Sequence, residues 1–452
     1  MTSRRFEIEG QPDFELRTER KKPVAVIAEV PDADIADGLV FIIPGMGGEK
    51  DADYSAMLRR YIAAKYNLIA VSVDGHCNTC RPARSTEFGE VGLEIEGESL
   101  LDVVSRYVIS GGQIDRKLET HADILEMLRA AAPMQFAIKT VLNPPDNQYQ
   151  NFGLLSAMDH LCALNALSDS DLHFDKSNVL CVGSSHGGYI AHMMHKLAPN
   201  SFNGIIDASA YTETATAFID GGWKEANITD GNLIYTCSTQ QKWQFSNPGL
   251  PTFFGPDRSL IRDTAYDVHM QTVAAAASRK CQFRMIHSTN DAVSSPGLKH
   301  RQTEMLRDLG FDASLDMIGA DDVDGKFIKS ADHGMGIALN LLFDRYYPTI
   351  ERRDGVTDRE LETALNFDGP KYSYRIAHHS SGMHLAASCD TRSPLSSEPV
   401  DCLSGEFGRL TSIKMPNLAP DAHVPHAPAP DRCTGQAHPT TPTASRSTIT
   451  ST

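Results

Sequence analysis

Gly183-Ser184-Ser185-His186-Gly187 places a serine between two glycines in the pattern G-x-S-x-G. An apolar run, Asn178-Val179-Leu180-Cys181-Val182, leads into it, and an apolar stretch follows as far as Leu197. A serine on such a strand-to-helix turn is held in a strained, outward-facing conformation, and the glycines let the two backbones approach closely. The helix start aims the next backbone N–H, that of His186, at an oxyanion forming in front of the serine. The chemistry predicted is attack by Ser185 on an acyl carbonyl. A short run of glycines that merely packs a turn would read the same in isolation; the flanking strand and helix give the motif its weight.

A serine hydroxyl is a weak nucleophile until a base takes its proton and a carboxylate orients that base. With this kind of turn the partners follow in the order Ser, Asp, His. Asp291 lies in His287-Ser288-Thr289-Asn290-Asp291-Ala292-Val293, just past the expected strand Gln282–His287. His333 lies in Ser330-Ala331-Asp332-His333-Gly334-Met335, after the next strand and before the last helix. His333 is the expected general base and Asp291 the expected acid. Asp207, near the end of the run Gly204–Ala208, is the rival for the acid. Asp332 reads as a turn residue and His287 as a core histidine. A second oxyanion donor belongs on a loop after an early strand. Pro44-Gly45-Met46-Gly47-Gly48 stands there, so the N–H of Met46 or Gly47 is the candidate. An ordinary glycine turn is the plain alternative, and the phosphate-binding pattern G-x-x-x-x-G-K-[ST] does not occur.

The elements that must position these residues alternate. Leu39–Ile43 and Leu68–Val73 are continuous apolar runs, as strands buried on both faces are. Between them, Tyr54, Met57, Leu58, Tyr61 and Ile62 recur at helical spacing within Asp51–Tyr66. Helices are expected over Phe152–Leu167, from the elbow to Leu197, over Pro296–Leu309 and over Met335–Tyr346. Strands are expected at Val24–Ala28, Asn178–Val182, Gly204–Ala208, Gln282–His287 and Ala313–Ile318. Strand–helix–strand alternation implies a mostly parallel α/β sheet with helices on both faces. The segments 75–148 and 211–280 interrupt the pattern and read as cap insertions on a core of residues 1–350. A helix is expected within Asp115–Ala131. Residues 351–413 form an extension of uncertain fold. From 414 to 452 the chain is rich in Pro, Ala, Thr, Ser and His, and such a tail is expected to be disordered.

Bulk properties narrow the function classes. Of 452 residues, 58 are acidic and 42 basic, a net charge of −16. That balance argues against nucleic-acid binding and against docking on anionic membranes. No run of about 18 apolar residues occurs and charge resumes early at the N-terminus, so a cytoplasmic protein without a membrane span is expected. The nine cysteines are odd in number and scattered, which suits reduced thiols. Cys77-Asn78-Thr79-Cys80 is a C-x-x-C without a second pair, and reads as two loop thiols rather than a zinc site. Asp321-Asp322-Val323-Asp324-Gly325 lacks the spacing and terminal Glu of a calcium loop. Ser185 chemistry needs neither metal nor organic cofactor.

Ser184-Ser185-His186-Gly187-Gly188-Tyr189 resembles the elbow of the prolyl-oligopeptidase-like branch of α/β hydrolases, to which acylaminoacyl peptidases belong. The contexts Asp291-Ala292-Val293 and Asp332-His333-Gly334 are similar to that branch too. The resemblance spans about residues 20–348. Within it, Asn151-Phe152-Gly153 and the following helix resemble the uncharacterised bacterial DUF2920 family, whose members often lie among flagellar glycosylation genes. The resemblance implies an α/β-hydrolase fold and a serine hydrolase working through an acyl-enzyme. Large members of the branch carry a β-propeller ahead of the core; the fewer than 40 residues here are too few for one. The insertions are expected to shape the pocket instead. The expected partner is a small-molecule or short-peptide acyl substrate, with an esterase or deacylase favoured. The alternatives are an oligopeptidase, an acyltransferase with the same triad, and a non-catalytic binding or flagellar-glycosylation accessory protein.

Overall fold

The computed structural model describes residues 1–46, 53–77, 93–114, 117–131, 135–142, 148–215, 226–239, 242–353, 356–380, 382–389 and 411–412. Gly47, Cys80 and the tail 414–452 lie outside the described residues.

The chain opens with strands β1 (Thr2–Ile8), β2 (Val24–Val30) and β3 (Leu39–Ile43), then helix α1 (Asp53–Tyr66) and β4 (Ile69–Val73). The first insertion contributes β5 (Leu93–Ile95), α2 (Gly97–Ile109), α3 (His121–Ala130) and β6 (Phe136–Leu142). The core resumes with α4 (Leu154–Ser168), β7 (Val179–Ser184), α5 (His186–Leu197) and β8 (Gly204–Ala208). The second insertion holds β9 (Ala226–Asp230), β10 (Leu233–Thr239), α6 (Pro256–Arg262) and α7 (Asp267–Ala276). Next come β11 (Gln282–Ser288), α8 (Pro296–Asp308), β12 (Asp312–Ile318) and α9 (Leu339–Tyr346). The C-terminal extension adds β13 (Ala364–Asp368), β14 (Tyr372–His379), β15 (Gly382–Cys389) and β16 (Thr411–Ser412).

The main sheet runs β12-β11-β8-β7-β3-β4-β2-β1-β16. The pairs from β4 through β3, β7, β8 and β11 to β12 are parallel, and β2 joins β4 antiparallel. The alternating side chains explain why the strands read as unbroken apolar runs. Leu39, Phe41 and Ile43 enter one core with Val179 and Cys181, on the face covered by α4, α5 and α8. Val40 and Ile42 enter the other with Leu180 and Val182, against Leu58 and Ile62 of α1 and Leu342 and Phe343 of α9. This is the mostly parallel sheet with helices on both faces that the sequence implies.

Several elements differ from the sequence reading. The two insertions, read from the sequence only as interruptions, share a sheet: β9 and β10 form a hairpin, and β10 pairs in parallel with β6 of the other insertion. The resulting sheet β5-β6-β10-β9 has its own small core of Leu100, Val103, Leu125, Leu128, Phe136, Ile138, Leu233 and Tyr235. The last helix begins at Leu339 rather than Met335, because Gly334, Met335 and Gly336 take φ of 73°, 52° and 62°, which no right-handed helix accommodates. Residues 364–389 form the antiparallel sheet β13-β14-β15, and Leu365, Phe367, Tyr374 and Ile376 join the main core. Cys77 is disulfide-bonded, against the expectation of reduced thiols throughout; Cys162, Cys181 and Cys281 are free. Among the described residues no helix is long and apolar enough to cross a membrane.

Candidate active site

In a parallel sheet the carboxyl ends of the strands share one edge. Both insertions leave from that edge, after β4 and β8, and so do the segments carrying Ser185, Asp291 and His333. Ser185 sits between β7 and α5 with φ 54° and ψ −124°, a strained conformation for a residue with a Cβ. Its backbone is over-determined: its N–H donates to Ala208 O at 2.8 Å, and its C=O accepts from Tyr189 N at 3.1 Å. The glycines are required sterically. A Cβ on Gly187 would lie 2.0 Å from Ile43 O, and one on Gly183 would lie 2.6 Å from the Gly187 carbonyl carbon.

The structure brings Ser185, His333 and Asp291 together. His333 Nε2 lies 2.7 Å from Ser185 Oγ. His333 Nδ1 lies 2.8 Å from Asp291 Oδ2 and 3.0 Å from Oδ1. Asp291 also accepts from the N–H groups of Val293 (2.9 Å) and Ser294 (2.8 Å). Burial alone would raise the Asp291 pKa, but the His333 bond, the two amides and the His333 charge outweigh it and hold the carboxyl below its ordinary value. The His333 side chain keeps 22% of its surface exposed, while that of Asp291 has none.

The His333 loop is pinned on both sides, and neither pin was visible in the sequence. Ser209 Oγ accepts the N–H of Gly334 at 2.9 Å, and Ser288 Oγ donates to Ala331 O. Ser209 itself has φ 56°. Tyr211 lies beside His333, with ring centroids 6.0 Å apart. Phe152, at φ 52°, packs against both Tyr211 and the ring of His186. Asn151-Phe152-Gly153 thus ties the start of α4 to the elbow, with Asn151 Oδ1 accepting the N–H of Leu155 at 2.8 Å.

His186 is the first residue of α5, where backbone N–H groups have no intrahelical acceptor. Its ring turns away to stack on Tyr189. On the loop after β3, a Cβ on Gly45 would lie 3.5 Å from Ser185 Cβ, which puts the residue before Met46 beside Ser185. The rival acid, Asp207, is not free for His333. It bonds His192 Nε2 at 2.6 Å and faces Lys299 Nζ at 3.5 Å. Asp332 is a turn residue, its C=O accepting from Met335 N at 3.0 Å. Among the described residues no group of three or more His, Cys, Asp or Glu is arranged to hold a metal ion.

Strand order, elbow and helices on both faces define an α/β-hydrolase fold. Within it the chain belongs to the DUF2920 family, described as proteins of unknown function, whose profile matches residues 4–375. Solved structures similar to the chain include an S-formylglutathione hydrolase from Agrobacterium tumefaciens (15% identity, TM-score 0.39, covering 77% of this chain and 95% of that one). An acylaminoacyl peptidase from Pyrococcus horikoshii aligns at 13% identity and TM-score 0.40, over 78% of this chain but only 43% of its own length. Thermogutta terrifontis esterase 2 aligns at 11% identity and TM-score 0.36, over 76% and 92%. Comparison with curated protein sequences gives no match.

Proposed function

We propose that this protein is a serine hydrolase that cleaves an ester or amide through a Ser185 acyl-enzyme. The observation that carries the reading is the continuous chain Ser185 Oγ–His333 Nε2 (2.7 Å) and His333 Nδ1–Asp291 Oδ2 (2.8 Å), built on a strained serine. Ser185 Oγ attacks the acyl carbonyl as its proton passes to His333 Nε2. Asp291 holds the Nδ1–H tautomer and stabilises the imidazolium. The His186 N–H, with one from Met46 or Gly47, takes the oxyanion. His333 returns the proton to the leaving group, then activates water to release the acid and regenerate the serine.

The substrate we favour is a small ester, or an O- or N-acyl group on a metabolite or sugar. The test is labelling by a fluorophosphonate probe, with Ser185→Ala as control, followed by p-nitrophenyl acetate set against a peptide anilide. Labelling lost in the variant, with ester turnover, bears the reading out. Preferential anilide cleavage would make it a peptidase. Folded wild-type protein that does not label would overturn the hydrolase reading in favour of a binding role.

A further inference from the structure

Behind the face of Asp291 that meets His333 lies a buried group of charged and titratable side chains that the acyl-transfer steps do not use. It comprises Asp207 at the end of β8, His192 on α5, Lys299 on α8 and His287 on β11, each at most 4% exposed. Asp207 binds His192 at 2.6 Å and faces Lys299 at 3.5 Å, and Lys299 also donates to Gln302 Oε1 at 2.9 Å. His287 stands between this pair and the candidate triad. Its Nε2 is 3.0 Å from Ser294 O and 3.5 Å from Asp291 Oδ2. Ser294 in turn donates its N–H to Asp291 Oδ1 at 2.8 Å. The imidazole is therefore bonded to the residue whose N–H caps Asp291, with the carboxylate 3.5 Å from its Nε2.

The protonation state follows from the partners. Ser294 O accepts only, and so does an ionised Asp291, so His287 Nε2 carries a hydrogen. Nδ1 is buried and meets no partner among the described residues. A proton there would be an unsatisfied N–H, close to the charge of Lys299, and would be costly. The ring is neutral. Burial first, then the Lys299 charge, keeps its pKa below the ordinary histidine value.

We propose that His287 is a positioning residue of the Ser185 site: its Nε2–H, donated to Ser294 O, holds in place the residue whose own N–H caps Asp291, and so keeps the Asp291 carboxylate against His333. The inference rests on the hydrolase reading above. A purely space-filling histidine would affect folding yield but not the turnover of each folded site.

The experiment compares wild type, His287→Leu and His287→Gln in hydrolysis of p-nitrophenyl acetate, with active sites counted by fluorophosphonate titration. In His287→Leu the kcat per titrated site should fall about 10-fold, because the buried Ser294 carbonyl loses its donor and the loop that caps Asp291 is loosened. KM should stay within about twofold, because no ground-state contact is removed. His287→Gln, which keeps an amide N–H near the Nε2 position, should recover most of the loss. Wild-type kcat per site in His287→Leu, or equal losses in Leu and Gln, would overturn the inference while leaving the hydrolase reading intact. If wild type itself fails to label, the hydrolase reading falls and this inference with it. Should His287→Leu not fold, His287→Asn replaces it. Its shorter amide misses Ser294 O, so Asn should lose kcat where Gln keeps it, and equal kcat would overturn the inference.

Discussion

Ser209 Oγ accepts the backbone N–H of Gly334, the residue after His333, at 2.9 Å. The two lie on different loops, and Ser209 is fully buried with φ 56°, a conformation held by its own N–H donating to Ile286 O at 3.0 Å. The contact fixes the loop that aims the imidazole. Ser209→Ala should lower stability by about 1–3 kcal/mol, since it leaves the Gly334 N–H without its acceptor. Turnover should fall by about tenfold or more, because misplacement of a base costs rate steeply. Ester kinetics per titrated site together with a thermal melt would check this. A melt shift with unchanged turnover would remove Ser209 from the positioning of His333.

Asp291 and Asp207 are both buried, and substitution should separate their roles. Asp291→Asn should keep the fold but present the wrong His333 tautomer, lowering kcat by about 10⁴-fold. Ser185→Ala and His333→Ala should each cost about 10⁶-fold, because the three act as a unit. Asp207→Asn leaves Lys299 buried without its counter-charge and should cost about 3–5 kcal/mol of stability. The measurement is Tm beside kcat for each variant. Near-normal turnover in Asp291→Asn would move the acid elsewhere.

The core and the order of the candidate triad were legible in the sequence for physical reasons. Strands such as Leu39–Ile43 and Val179–Ser184 are buried on both faces, so they read as unbroken apolar runs. Ser185 is marked by glycines that no other residue could replace at those backbone contacts. The rest depends on partners distant in sequence. β6 and β10 join the two insertions into one sheet, and neither run announces a partner in the other insertion. β13 alternates buried Leu365 and Phe367 with exposed neighbours, and two apolar residues in so short a run are too weak a period to mark a strand. The bonds from Ser209 and Ser288 to the His333 loop, and the place of His287 behind Asp291, follow from the chain path alone. Cys77 likewise reads as a loop thiol although it is bonded.

Two glycines near Ser185 should respond differently to the same methyl group. On Gly187 the new Cβ would meet backbone, 2.0 Å from Ile43 O, and no side chain can move aside. Gly187→Ala should destabilise by more than the ~1–3 kcal/mol of ordinary overpacking and yield little soluble protein. On Gly45 the Cβ would reach Ser185 Cβ and Ser184 O at 3.5 Å, ordinary contact distances. Gly45→Ala should fold normally and slow fluorophosphonate labelling by crowding the nucleophile. Soluble yield and labelling rate measured side by side test both, and a Gly45→Ala protein that labels at the wild-type rate would place the entry path on the other side of Ser185.

Acid should unfold the protein earlier than its carboxylates alone would. His160 and His195 are buried, and burial foremost lowers their pKa values from 6.5 to about 4 and about 3. An unfolded chain binds these protons near pH 6.5 while the folded chain refuses them. Their contribution is therefore complete above about pH 6.5 and is lost as pH falls toward 4 and then 3. His195 is the cleaner test, because its Nε2 meets no partner among the described residues and its ring packs edge-on against Phe283 and Phe311. His195→Leu keeps apolar contact with both rings and removes the titrating group. At pH 7 its stability should stay within about 1.5 kcal/mol of wild type. Between pH 7 and pH 4.5, wild type should lose about 1–3 kcal/mol more than the variant. Urea unfolding followed by fluorescence at the two pH values measures the difference. Equal losses in the two proteins would show that His195 takes up its proton without unfolding.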